Sequence, residues 1–201
     1  LFPFLKEKSK KNHFFVTEIG GGYGGLIHNI KKNFPNAVCI LFDLPEQNYI
    51  SNFYLKQLYP NAKVLNLETL VEVKKIKSIE HLSLEKNELI EFDFIILPGY
   101  LIDKIENSLI DVVINTRSFM EMNINTINFY FSHIHRMIVE DGIFYCVNRY
   151  KKKTSGDRVK FKRLPFDKKW KFEISRQSFL QPLIHEALLQ RINSENIKFK
   201  Q

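Results

Sequence analysis

The 201-residue chain reads as an α/β protein: a doubly wound, mostly parallel sheet between helices, in a three-layer sandwich. Continuous apolar runs recur at Ala37 to Phe42, Phe92 to Leu97, Asp111 to Asn115 and Ile143 to Val147. That is the pattern of parallel strands buried on both faces. Stretches with helical periodicity separate several of them. A glycine-dense loop over residues 20–25 ends the first strand and opens the first helix, where doubly wound sheets bind nucleotide-type ligands.

Taken in order, residues 1–12 form an apolar turn and a basic stretch. The first strand covers about His13 to Ile19 and the first helix about Gly25 to Phe34. Pro35 and Asn36 turn the chain into the second strand, which ends in Asp43. Pro45 opens a helix, with Ile50, Phe53, Tyr54 and Leu58 at helical spacing as core residues. Val64 to Leu67 reads as a short strand, and Val71 to Glu91 as a charged helix or excursion. The strand Phe92 to Leu97 stops at Pro98 and Gly99. Tyr100 and Lys104 make a Y-x-x-x-K by chance, after a Pro-Gly turn. Asp111 to Asn115 leads into a polar turn, Thr116 to Met122. The next helix shows Ile127, Tyr130, Ile134 and Ile138 on one face. Asp141 and Gly142 turn into the fifth strand of the main series, Ile143 to Val147, with Asn148, Arg149 and Tyr150 at its exit. Trp170 to Ser175 reads as a late strand and Phe179 to Ile192 as a C-terminal helix.

The length and the 44% hydrophobic content suit one domain with a substantial core. The first residue is not Met, so a natural N-terminal part is expected to be missing. No apolar run approaches the roughly 20 residues of a membrane span. Two isolated cysteines, Cys39 and Cys146, sit in apolar runs. This suggests a reducing, cytoplasmic setting and no metal site. The net charge of +8 lies wholly in residues 151–171, which hold ten Lys/Arg and two Asp, while the remainder has 20 of each sign. That segment is either an anion-facing loop for phosphate or nucleic acid or a solvated basic connector.

The chemistry concentrates at the glycine loop. Gly20, Gly22 and Gly25 satisfy G-x-G-x-x-G, the dinucleotide fingerprint. Glu18, Gly20, Gly22 and Gly24 satisfy E-x-G-x-G-x-G. Glycines let the backbone turn sharply and lie flat against a ligand. Asp43 follows Gly24 by nineteen residues, the place of a carboxylate that accepts from both ribose hydroxyls. The polar residues after the fourth and fifth strands of the series lie at the carboxyl edge, where open sheets bind ligands.

Together these residues resemble a class I S-adenosylmethionine-dependent methyltransferase. The narrower resemblance is to the sugar O-methyltransferases of bacterial surface-polysaccharide gene clusters. It is carried by Glu18 to Gly25, Phe42 to Glu46, Asn115 to Met122, and Asn148 to Tyr150. The resemblance implies a Rossmann-like fold with S-adenosyl-L-methionine as cofactor. It implies that Glu18, Gly20, Gly22 and Gly24 line the methionine part, that Asp43 holds the ribose, and that Thr116 and Ser118 lie near the sulfonium and the acceptor. Gly21, Tyr23 and Leu44 adjoin them in the cofactor site. A sugar hydroxyl is a poor nucleophile, so a general base is expected. Glu121 is the first candidate. His133 is the second, although both His133 and His135 fall off the apolar helix face. Arg117, Asn148, Arg149 and Tyr150 are candidates for the acceptor, a small or carrier-linked sugar, and the Arg149 fork suits a phosphate or carboxylate.

Three other functions stay open. A nucleic-acid methyltransferase commonly carries Asn/Asp-Pro-Pro-aromatic or Pro-Cys after the fourth strand, and neither occurs. An NAD-dependent reductase or epimerase needs the G-x-G-x-x-G reading. A domain that binds the cofactor without turnover would keep the loop alone.

Overall fold

The computed structural model describes residues 1–74, 82–151 and 159–192. Its strands are β1 (Phe14–Ile19), β2 (Ala37–Asp43), β3 (Val64–Asn66), β4 (Phe94–Pro98), β5 (Ile110–Thr116), β6 (Ile138–Arg149), β7 (Trp170–Gln177) and β8 (Ile184–Arg191). The helices are α1 (Phe2–Lys8), α2 (Gly25–Asn33), α3 (Pro45–Leu58), α4 (Leu67–Lys74), α5 (Lys86–Leu89) and α6 (Ile124–Met137). One sheet runs in the order β3-β4-β2-β1-β5-β6-β8-β7. It is parallel from β3 to β6, while β8 pairs antiparallel with both β6 and β7. The chain winds outward from β1 through β2, then returns to β5 on the other side of β1. The crevice where the order reverses is therefore beyond Ile19 and Thr116.

Alternation along the strands builds two cores. In β1, Phe14 and Val16 join the face packed by Ile27 and Ile30 of α2, Leu55 of α3 and Leu5 of α1. Phe15 and Ile19 join the other face, packed by Ile127, Phe131 and Ile134 of α6 and Leu70 of α4. The β2 residues divide the same way. A strand buried on both faces is apolar throughout, which is why these runs were continuous.

The C-terminal segment departs from the expected helix. Residues 184–191 form β8, between β6 and β7. Ala187 and Leu189 face one core and Leu188 the other. Its local pattern suits a helix as well as a strand, but the sheet offers two strand partners and burial on both faces, and tertiary packing decides. Ile138 also differs: it opens β6 rather than closing the apolar face of α6. The expected turn at Asp141 and Gly142 lies within β6, at a register shift opposite Ile110 and Val112, with Asp141 at φ 60°. The basic 151–171 segment falls partly outside the described residues. Of the described part, Lys151 bridges Lys160, and Phe161–Arg163 form a 3-10 turn.

Candidate active site at the carboxyl edge

The glycine loop crosses the end of β2, where Gly20 N–H donates to the Phe42 carbonyl at 2.7 Å. Gly20, Gly22 and Gly24 have φ of 72°, 57° and 87°, a region in which a Cβ is strained. Gly20 is constrained twice over, because a Cβ there would stand 2.2 Å from Ser118 Oγ. Gly22 is different: nothing lies within 4 Å of the place its Cβ would take. That face of the loop is open to a ligand. Tyr23 stacks edge-on against Tyr54 at 5.1 Å and folds over the start of α2, its hydroxyl against Gly25.

Asp43 is tied to the same loop. Gly22 N–H donates to its Oδ2 and Leu44 N–H to its Oδ1, both at 2.8 Å. Each carboxylate oxygen retains a lone pair. Leu44, beside it, is 66% exposed. Glu18 lies beneath the loop and is only 2% exposed. Thr116 Oγ1 donates to Glu18 Oε1 at 3.4 Å, while Oε2 is buried with no hydrogen-bond partner among the described residues. Burial raises the Glu18 carboxyl to about 7; the Thr116 bond opposes this and the Asp43 charge adds to it.

A buried polar network closes the floor. Asn115 Nδ2 donates to the Ile19 carbonyl at 2.9 Å and also to Ser118 Oγ. Asn148 Nδ2 donates to Asn115 Oδ1 at 2.8 Å, and Met120 N–H donates to Asn148 Oδ1 at 3.1 Å. Ser118 Oγ donates to the Ile19 carbonyl at 3.1 Å. Ser118 and Asn148 thus hold the ends of β1, β5 and β6 together, and Asn148 is 3% exposed. Arg117 is exposed, with its backbone at φ 66°.

Glu121 is exposed on the 3-10 turn Phe119–Glu121, directly beyond β5. His133 is not brought to this edge. It stands nine residues into α6, about 13 Å along the axis, where Arg136 Nε donates to its Nδ1 at 3.1 Å. The Arg136 guanidinium in turn binds the carbonyls of Ile102, Asp103 and Ile105. Burial, with Arg136, lowers the His133 pKa against the opposing Asp103 charge. Arg149 and Tyr150 are exposed at the β6 exit, where they line a cavity of about 490 Å³ with residues at the start of β8.

Two residues of the site were not singled out from the sequence. Asn115 reads in the sequence as the end of a strand, although a polar residue closing an apolar run at the switch point is the available signal. Tyr130 reads as core from its helical spacing. It is 8% exposed, yet its hydroxyl packs against Gly99, where a Cβ would approach it to 2.1 Å. Burial and the Asp43 charge both raise its pKa. Nothing in helical spacing shows that the end of a core tyrosine reaches a ligand edge.

No family model matches the sequence, and no curated protein matches it. Solved structures do. A protein described as a sarcosine dimethylglycine methyltransferase, from Galdieria sulphuraria, superposes with a TM-score of 0.61 at 10% identity, over 94% of this chain and 84% of that one. A structure of the Haloferax volcanii Trm112 methyltransferase activator with a methyltransferase gives 0.61 at 11% identity, over 96% and 88%. The geranyl diphosphate C-methyltransferase of Streptomyces coelicolor A3(2), solved with Mg²⁺, geranyl diphosphate and S-adenosyl-L-homocysteine, gives 0.58 at 10% identity, over 94% and 77%. At such identities the likeness is one of fold, and the chain has the three-layer α/β fold of class I methyltransferases.

Proposed function

We propose that the protein is an S-adenosylmethionine-dependent methyltransferase and, more narrowly, an O-methyltransferase of a sugar hydroxyl. The observation that carries the reading is the Asp43 carboxylate, fixed by Gly22 and Leu44 N–H groups beside the open face of the glycine loop. Fold neighbours that are methyltransferases support it, one of them solved with S-adenosyl-L-homocysteine. The residues present fit the cofactor. Asp43 keeps acceptor capacity for ribose hydroxyls. The orphaned Glu18 Oε2 suits a cationic group. The open side of Gly22 leaves room for the chain between them.

When bound, S-adenosylmethionine supplies a methyl carbon made electrophilic by its sulfonium. Glu18, once ionised, provides a negative charge in a dry site, where electrostatics are strong. The Asn115, Ser118 and Asn148 network fixes the strand ends so that the site need not reorganise. Glu121 is the proposed general base for the acceptor hydroxyl. Arg117, Arg149 and Tyr150 stand at the exits of β5 and β6, where an acceptor would lie. The narrower sugar reading is supported by the resemblance of Ser118 to Met122 and of Asn148 and Arg149.

Calorimetric titration with S-adenosyl-L-homocysteine, with NAD in parallel, tests the reading. Binding of the first and its loss in Asp43→Ala are expected. Binding of NAD alone would overturn the methyltransferase reading.

A further inference from the structure

The cavity beyond β6, about 490 Å³, is lined by Arg149, Tyr150, Lys151, Pro182, Leu183 and His185 among others. Its make-up is divided. Arg149 and Lys151 are exposed, and among the described residues no carboxylate pairs with either. Tyr150, Pro182 and Leu183 add an apolar and aromatic wall, and Leu183 is 70% exposed. The His185 ring sits between Tyr150 and Phe161, at 5.7 and 4.6 Å between centroids. Burial lowers its pKa despite the Glu186 charge, and its Nε2 meets Ser175 Oγ at 3.0 Å, so the ring serves as a neutral part of the wall. The place is firmly built: Tyr150 N–H donates to the Leu183 carbonyl at 3.1 Å, and Arg149 pairs with Ile184 in the β6–β8 ladder.

The cavity is also well placed. Register puts the β8 start at the carboxyl edge of β6. Two strand spacings separate β6 from β1, about 10 Å. Arg149 also stands beside Phe119, Met120 and Asn148, next to the turn that carries Glu121. Arg149 and Lys151 are two residues apart, about 7 Å along an extended chain. Long side chains at that spacing can both reach one diphosphate.

We propose that this cavity is a subsite for a phosphate ester of the acceptor, with the phosphates on Arg149 and Lys151 and the organic body against Tyr150, Pro182 and Leu183. Its role as an acceptor subsite rests on the methyltransferase reading; the anion site itself does not. A nucleotide-linked and a prenyl-linked sugar share this chemistry.

The test is calorimetry with uridine diphosphate and farnesyl diphosphate, against uridine and farnesol. Both diphosphates, or one of them, should bind at least about tenfold more tightly than the neutral partner, since charge-assisted contacts dominate. The tighter of the two identifies the carrier. Arg149→Ala and Lys151→Glu should each weaken the diphosphate about tenfold and leave S-adenosyl-L-homocysteine binding unchanged. Lys32→Glu, the same charge change on exposed α2, should alter neither. Equal binding of the neutral partners, no diphosphate binding, indifference to both cavity variants, or an equal loss in Lys32→Glu would overturn the proposal. If the diphosphate pattern holds while S-adenosyl-L-homocysteine fails to bind, the methyltransferase reading falls and the anion site stands.

Discussion

Glu18 carries an unusual electrostatic load for a single side chain. Its carboxyl is raised from 4.5 to about 7, chiefly by burial, and one oxygen has no partner among the described residues. The folded state therefore binds the proton more tightly than the unfolded one. Stability linked to this group is complete below pH 4.5 and is lost as the pH rises to about 7. Over that window Glu18 lowers the melting temperature, while His133, His135 and His185, whose pKa values burial lowers, raise it. Glu18→Gln, which has the same shape without the charge, should therefore shift the slope upward by a few degrees. Ligand binding should run the other way. A cationic ligand group favours ionised Glu18, so S-adenosyl-L-methionine affinity should rise about tenfold between pH 6 and 8. Thermal scans and calorimetry across pH check both slopes, and equal slopes in wild type and Glu18→Gln would remove Glu18 from the site. The positions of Glu18 and Asp43 at strand ends beside the glycine loop were legible in the sequence, because Glu18 stands just before the glycines and Asp43 closes an apolar run. The orphaned oxygen was not, because sequence does not reveal which polar atom burial leaves unpaired.

At the level of elements, β8 shows where reading from sequence stops. The strands β1, β2, β4 and β5 were legible because burial on both faces writes a continuous apolar run. The stretch Ile184 to Arg191 has Ile184 and a short apolar centre, Ala187 to Leu189, separated and followed by polar residues. In isolation that pattern is as helical as it is extended. Its strand state comes from β6 and β7, which hydrogen-bond it from both sides, so it follows from a pairing that no local window contains. The consequence is measurable. Leu189 is fully buried in the larger core. Leu189→Ala should cost about 2–5 kcal/mol, seen as a lower denaturation midpoint at unchanged slope. The side chain lies in the sheet core rather than in the glycine loop, so the affinity for S-adenosyl-L-homocysteine should stay near the wild-type value while the protein remains folded.

For the whole molecule, the doubly wound order leaves a gap between diverging connections at β1 and β5, and the Asn115–Asn148 network spans its floor. Its Asn115 bonds join β5 to the Ile19 carbonyl of β1 and, through Asn148, to β6. Asn148 also holds the Met120 N–H at the start of the turn that carries Glu121. Stability and site geometry therefore meet in these two side chains. Asn148→Ala removes three bonds, to Asn115 Oδ1, Met120 N–H and Cys146 Sγ, and leaves Asn115 Oδ1 with only the longer Phe119 N–H contact, at 3.4 Å. An under-satisfied buried acceptor costs about 1–3 kcal/mol, so the denaturation midpoint should drop. Unlike Leu189→Ala, it should also weaken S-adenosyl-L-homocysteine binding. Ser118, which shares Asn115 and the Ile19 carbonyl, packs on Gly20 at the root of the glycine loop. Running chemical denaturation and calorimetry on both variants separates the two effects. A loss of midpoint with unchanged affinity in Asn148→Ala would make the network a fastener of the sheet alone, whereas loss of both would show that the strand ends and the glycine loop are held by the same bonds.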